Sequence, residues 1–112
     1  MRFAIPMVNG RLCEHFGHCD RFALIDADIK AKMILGKKEV EAPEHQPGLL
    51  PRWLADRGTN IVVAGGMGPR AQDLFTERGI EVVIGAPADE PEALVEAYLT
   101  GTLQAGENIC DH

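Results

Sequence analysis

Two short windows hold most of the metal-capable side chains of this 112-residue chain. The first is Cys13-Glu14-His15-Phe16-Gly17-His18-Cys19, and the second is Cys110-Asp111-His112. Together they carry all three cysteines and three of the four histidines. Thiolate sulfur and imidazole nitrogen are the donors for thiophilic metal ions and for iron–sulfur clusters. A free cysteine is often only a small core residue, but packing explains such clustering poorly. The spacing matches neither a zinc-ribbon nor a zinc-finger pattern, so a closed structural zinc site is not signalled. The candidate ligands are Cys13, His15, His18, Cys19, Cys110 and His112. Six exceed the four protein ligands a single metal commonly takes, so some act around the metal or only during transfer. Glu14, Asp20 and Asp111 adjoin them as acceptors able to orient imidazole, or as ordinary solvated carboxylates. His45 stands apart in a proline-rich stretch and reads as a surface residue.

These windows need a scaffold, and hydrophobic spacing supplies one. Arg2 to Val8 reads as a strand containing Pro6, whose missing N–H must face no ladder partner unless a bulge occurs there. Asn9-Gly10 marks a turn, after which the first Cys/His window is an irregular loop. Arg21–Asp26 reads as a buried second strand, and the segment from Ile29 to Val40 returns antiparallel to it. After a polar loop over residues 41–48, Leu49, Leu50, Trp53 and Leu54 form the inner stripe of a short helix ending at Gly58. Asn60–Ala64 is an apolar strand of the kind buried on both faces. Gly65-Gly66-Met67-Gly68 is a tight loop, Pro69 opens a helix that runs to about Arg78, and Gly79 stops it. Ile80–Ile84 is a last strand. Asp89 is the expected N-cap of a final helix, with Glu92 three residues on, an inner stripe of Leu94, Val95, Tyr98 and Leu99, and an end at Gly101.

An antiparallel front half followed by βαβα predicts a single α/β domain over residues 1–112. The expected architecture is a three-layer sandwich around a mixed five-stranded sheet of order 3-2-1-4-5, as in ribonuclease-H-like folds. Strands one and four are then central neighbours, and their carboxyl ends open into the Cys/His loop and the Gly65–Gly68 loop. Ligands favour that edge of such sheets. The glycine loop has backbone amides and a helix N-terminus that attract anions, with Arg70 adding charge and Met67 a soft sulfur. It lacks the GxGxxG pattern and the P-loop lysine, and reads equally well as a turn that needs glycine for positive φ.

Composition narrows the function. A net charge of −6, with no basic run longer than Lys37-Lys38, argues against broad nucleic-acid binding. No apolar run approaches the length of a membrane span, and Met1–Pro6 lacks the apolar core of a secretory signal. An odd number of cysteines fits a closed disulfide set poorly, so thiols in a reducing cytoplasm are expected.

His15-Phe16-Gly17-His18-Cys19 followed by Phe22, then Gly65-Gly66-Met67-Gly68, then residues Gly106 to His112, resemble the dinitrogenase iron–molybdenum cofactor biosynthesis family along essentially the whole chain. The resemblance implies a ribonuclease-H-like fold and a non-catalytic role in binding or delivering a metal–sulfur cluster, iron–sulfur or molybdenum-containing. It also implies cluster donor and acceptor proteins as partners, and a monomer or weak homo-oligomer. The chain is a minimal domain, shorter than the nitrogenase carriers and richer in cysteine than many of them. Three alternatives are a single-ion site for zinc, nickel or copper, an enzyme using a Cys/His nucleophile pair, and a plain partner-binding module.

Overall fold

The computed structural model describes residues 1–13, 19–44 and 48–103. His15, His18, Cys110 and His112 lie outside these described residues. Nine elements follow in order: β1 (Arg2–Val8), β2 (Arg11–Leu12), β3 (Arg21–Asp28), β4 (Met33–Glu41), α1 (Leu49–Asp56), β5 (Ile61–Val63), α2 (Pro69–Glu77), β6 (Glu81–Val83) and α3 (Pro91–Thr100). The main path of the sheet is β4-β3-β1-β5-β6, with β2 paired to β1. β1 runs antiparallel to β3 and parallel to β5, so the sheet is mixed and its centre is β1.

The strand period of two divides the core into layers. Phe3, Ile5 and Met7 of β1 join Ile25 of β3, Val63 of β5 and Leu94, Val95 and Leu99 of α3 on one face. The residues between them, Ala4, Phe22, Leu24 and Val62, join Leu50 and Leu54 of α1 and Phe75 of α2 on the other. Helices therefore cover both faces, giving the expected three-layer, ribonuclease-H-like sandwich. Among the described residues no helix is long and apolar enough to cross a membrane.

The expected sheet had five strands; the observed one has six, because residues 11 and 12 pair with Val8 and Met7. The reason is the turn. Asn9 at φ 54° and Gly10 at φ 81° both take the left-handed region, which a two-residue hairpin with the right twist requires. The Asn-Gly spacing predicts the turn but not its returning strand. A second correction concerns α3. Its N-cap is Glu90, not Asp89, and no side chain caps it. Pro91 occupies the first helical position, where its missing N–H costs nothing, and so sets the boundary one residue later. Asp89 instead accepts the Glu90 amide on Oδ1 at 2.8 Å, while its carbonyl takes the Leu12 amide at 3.0 Å. β3 also runs on to Asp28 and β4 begins only at Met33, because Ala27 and Asp28 still pair with Ile34 and Met33, so the turn falls at residues 29–32 and not at Ala27-Asp28. The helices stop before Gly58 and Gly79 as the spacing predicts.

The chain's one tyrosine, Tyr98, lies edge-on to Phe3 with ring centroids 5.1 Å apart. Its hydroxyl donates to Glu81 Oε2 at 2.7 Å. That hydrogen bond, aided by burial and by the carboxylate charge, pushes its pKa up to about 12. A raised value means the neutral phenol stabilises the fold in full below the unfolded value of about 10. That contribution fades as pH rises towards 12. Phenolate absorbance should therefore titrate near 12 in the folded protein, and Glu81→Gln should bring the midpoint back towards about 10.

Candidate metal–sulfur site

The loop that opens after β2 is held at both ends by β1. The Cys13 amide donates to the Pro6 carbonyl at 2.9 Å, and the Asp20 amide donates to the neighbouring Met7 carbonyl at 3.0 Å. Successive carbonyls of a strand point to opposite sides, so the two ends of the loop straddle β1. Their backbones are separated by two ladder spacings, roughly 10 Å. Chain geometry thus places Cys13 and Cys19 on either flank of the central strand at its carboxyl end.

Pro6 decides where the hairpin stops. The pairs Met7↔Leu12 and Val8↔Arg11 continue by one rung to Pro6 and Cys13. Pro6 has no N–H to return, so the ladder cannot extend and the chain is released into the loop. Residues that face each other across a ladder share a face. Cys13 therefore falls on the Ala4–Phe22 side, where α1 and α2 lie. It is only 5% exposed. Cys19 is half-buried and packs against the same apolar cluster, which also contains Phe22, Ala64 and Met67. Both described cysteines and the methionine of the glycine loop thus belong to one face.

The glycine loop arrives beside them for a topological reason. β5 pairs with β1 only through Phe3↔Ile61 and Ala4↔Val62. Beyond Val62 the chain leans towards β6, with the Ala64 amide on Val83 O at 2.8 Å and the Gly85 amide on Gly65 O at 2.8 Å. Cys13 takes the place next to Pro6 that β5 leaves. Gly65 and Gly66 are buried, and Met67 is 1% exposed within the core cluster, so its main role is packing. The Gln72 side chain donates to the Met67 carbonyl at 2.9 Å and steadies the loop. The proposed need for positive φ is not met: Gly68 has φ −65° and ψ 154° and serves as the N-cap of α2. A Cβ at Gly68 would meet no atom within 4 Å. The amide end of α2 consequently opens beside the loop with Arg70 exposed in its first turn, an arrangement that favours anions.

Two further cations stand at this end of β1, beyond the candidate residues of the sequence. Arg11 faces Val8 and Arg21 faces Met7, so both exposed arginines flank the end of β1. The signal was their position bracketing the cysteine window. Asp20 is also exposed at this edge. No group of three or more His, Cys, Asp or Glu side chains among the described residues forms a metal-ligand set. The described part of the site is thus a pair of cysteines, a helix N-terminus and three arginines around one edge of the sheet.

Comparison with known proteins agrees with the fold and assigns the family. A solved structure of PH0822 superposes with a TM-score of 0.89 at 29% identity, covering 100% of both chains. The apo form of the orange protein from Desulfovibrio gigas superposes with a TM-score of 0.73 at 23% identity, covering 96% of this chain and 93% of that one, a likeness of fold. An uncharacterised protein of Methanocaldococcus jannaschii, MJ0580, is 27% identical over 110 residues, or 96% of this chain and 92% of its own length. The family profile described as dinitrogenase iron–molybdenum cofactor matches residues 1–101, and this chain therefore belongs to the dinitrogenase iron–molybdenum cofactor family.

Proposed function

We propose that the chain is a non-enzymatic carrier, working in a reducing cytoplasm, that takes a metal–sulfur cluster or its precursor from a donor protein and passes it to an acceptor. The observation that carries this reading is the stapling of one loop across β1, which sets Cys13 and Cys19 on the face that also holds the Gly65–Gly68 turn. Two cysteines at the two ends of one loop, one on each flank of β1, suit a guest that both can reach. Amides at the start of α2, with Arg11 and Arg70 exposed on that side, suit an anionic guest whose sulfides accept hydrogen bonds. His15, His18, Cys110 and His112 are the further candidate ligands.

The test is anaerobic purification or reconstitution followed by metal and acid-labile sulfide quantitation with an absorption spectrum. Metal and sulfide in fixed ratio, with sulfide-to-metal charge-transfer bands, are expected. Metal bound without sulfide would replace this reading with a single-ion site for zinc, nickel or copper.

A further inference from the structure

All four lysines of the chain lie between residues 30 and 38, a stretch without a single acidic residue. The remaining residues carry seven arginines against seventeen acids, a net charge of −10. A cationic strip therefore stands alone on an otherwise acidic protein. It runs from the tip of the β3–β4 hairpin into β4. Exposed apolar side chains gather on it too: Ile29 is 41% exposed, Met33 55% and Leu35 66%. Large apolar side chains left exposed close together along one edge of a sheet mark interaction surfaces.

The strip has an edge and a cavity. β4 ends the sheet, and among the described residues its outer edge carries no strand. On the α1 side, a cavity of about 230 Å³ is lined by Arg2, Leu24, Asp26, Gly36, Lys37 and Lys38. Leu24 gives it an apolar floor. Gly36, opposite Asp26, leaves it open, since a Cβ there would meet nothing within 4 Å. Most of the charge is already used. Arg2 grips Asp26 through Nε at 2.8 Å and Nη2 at 3.2 Å, and Lys37 Nζ reaches Glu92 at 3.0 Å. Lys38 is the cation of this cavity without an ion pair among the described residues.

We propose that the outer edge of β4 accepts an extended acidic segment of a partner protein as an additional strand. Main-chain hydrogen bonds supply affinity in this mode, and pockets for alternate side chains supply selectivity. A carboxylate of the segment enters the cavity towards Lys38, and its apolar residues cover Met33 and Leu35. The occupant is acidic because the strip is cationic. A second copy of the chain fits less well, since antiparallel self-pairing centred on Lys37 or Lys38 sets lysine against lysine. An anionic bilayer would be repelled by the acidic remainder of the molecule. This proposal does not depend on what the cysteines bind.

The probe is a capped decapeptide alternating glutamate and valine, compared with its lysine–valine counterpart in amide NMR spectra of the full chain. Shift changes confined to residues 29–41, slowed exchange of β4 amides and weakening by salt are expected for the acidic peptide. Lys38→Glu and Leu35→Glu, both at exposed positions, should each weaken binding by tenfold or more with the melting temperature preserved. The proposal is overturned by no shift change at about 1 mM peptide, or by equal binding of the basic peptide. A concentration-dependent dimer abolished by Leu35→Glu would assign the edge to a second copy. Binding to phosphatidylglycerol vesicles with no peptide response would assign it to a membrane. Either result also overturns it.

Discussion

Replacing Phe22 with alanine is expected to lower the unfolding free energy by about 3–5 kcal/mol, the range for truncating a fully buried phenylalanine. Phe22 is 0% exposed, lies opposite Pro6 across the β1–β3 ladder, and packs with its ring centroid 5.5 Å from that of Trp53. It belongs to the α1–α2 layer that also contains Met67 and receives Cys19. The cavity left behind lies between the sheet and Trp53 of α1, and the ladders of β3 with β1 and β4 keep the sheet from closing it. The midpoint of urea unfolding should therefore fall steeply while its slope stays unchanged. Met33→Ala, at a position 55% exposed, is the control and should shift stability by less than about 0.5 kcal/mol. A loss below about 1 kcal/mol at Phe22 would contradict the packing of that layer.

Removing both described thiols, Cys13→Ala with Cys19→Ala, is expected to abolish retention of metal and sulfide while leaving the fold intact. Cys13 is buried and Cys19 half-buried, and alanine fills most of the volume of either, so the cost in stability is on the order of 1 kcal/mol per site. The bonds that fix the loop ends, Cys13 N–H to Pro6 and Asp20 N–H to Met7, are backbone bonds and survive the substitutions. Loading of the unaltered chain should also weaken as pH is lowered from about 8 to about 6, because ligation requires thiolate and neutral imidazole and protons compete for both. Metal and sulfide retained at unchanged stoichiometry in the double variant would remove Cys13 and Cys19 from the site. The docking proposal for β4 would be untouched by that result.

What could be read from the amino-acid order was whatever depends on local spacing. Alternation placed β1 at Arg2–Val8 and the apolar run placed β5 within 60–64. Proline and glycine punctuation set the start of α2 at Pro69 and the stops at Gly58 and Gly79. The connection lengths and handedness then predicted the path β4-β3-β1-β5-β6 and brought the cysteine loop and the glycine loop to one edge. Each of these follows from period, chain reach or backbone freedom, which neighbouring residues determine among themselves. The tertiary structure decided the rest. Whether residues 11 and 12 form a strand depended on the side of β1 that β5 vacates. The face taken by Cys13 depended on its rung opposite Pro6, whose missing N–H ends the ladder. The four lysines became a surface only because β4 ends the sheet with its outer edge open. Such outcomes rest on pairings between residues far apart in the chain, and local spacing carries no record of which partner will be there.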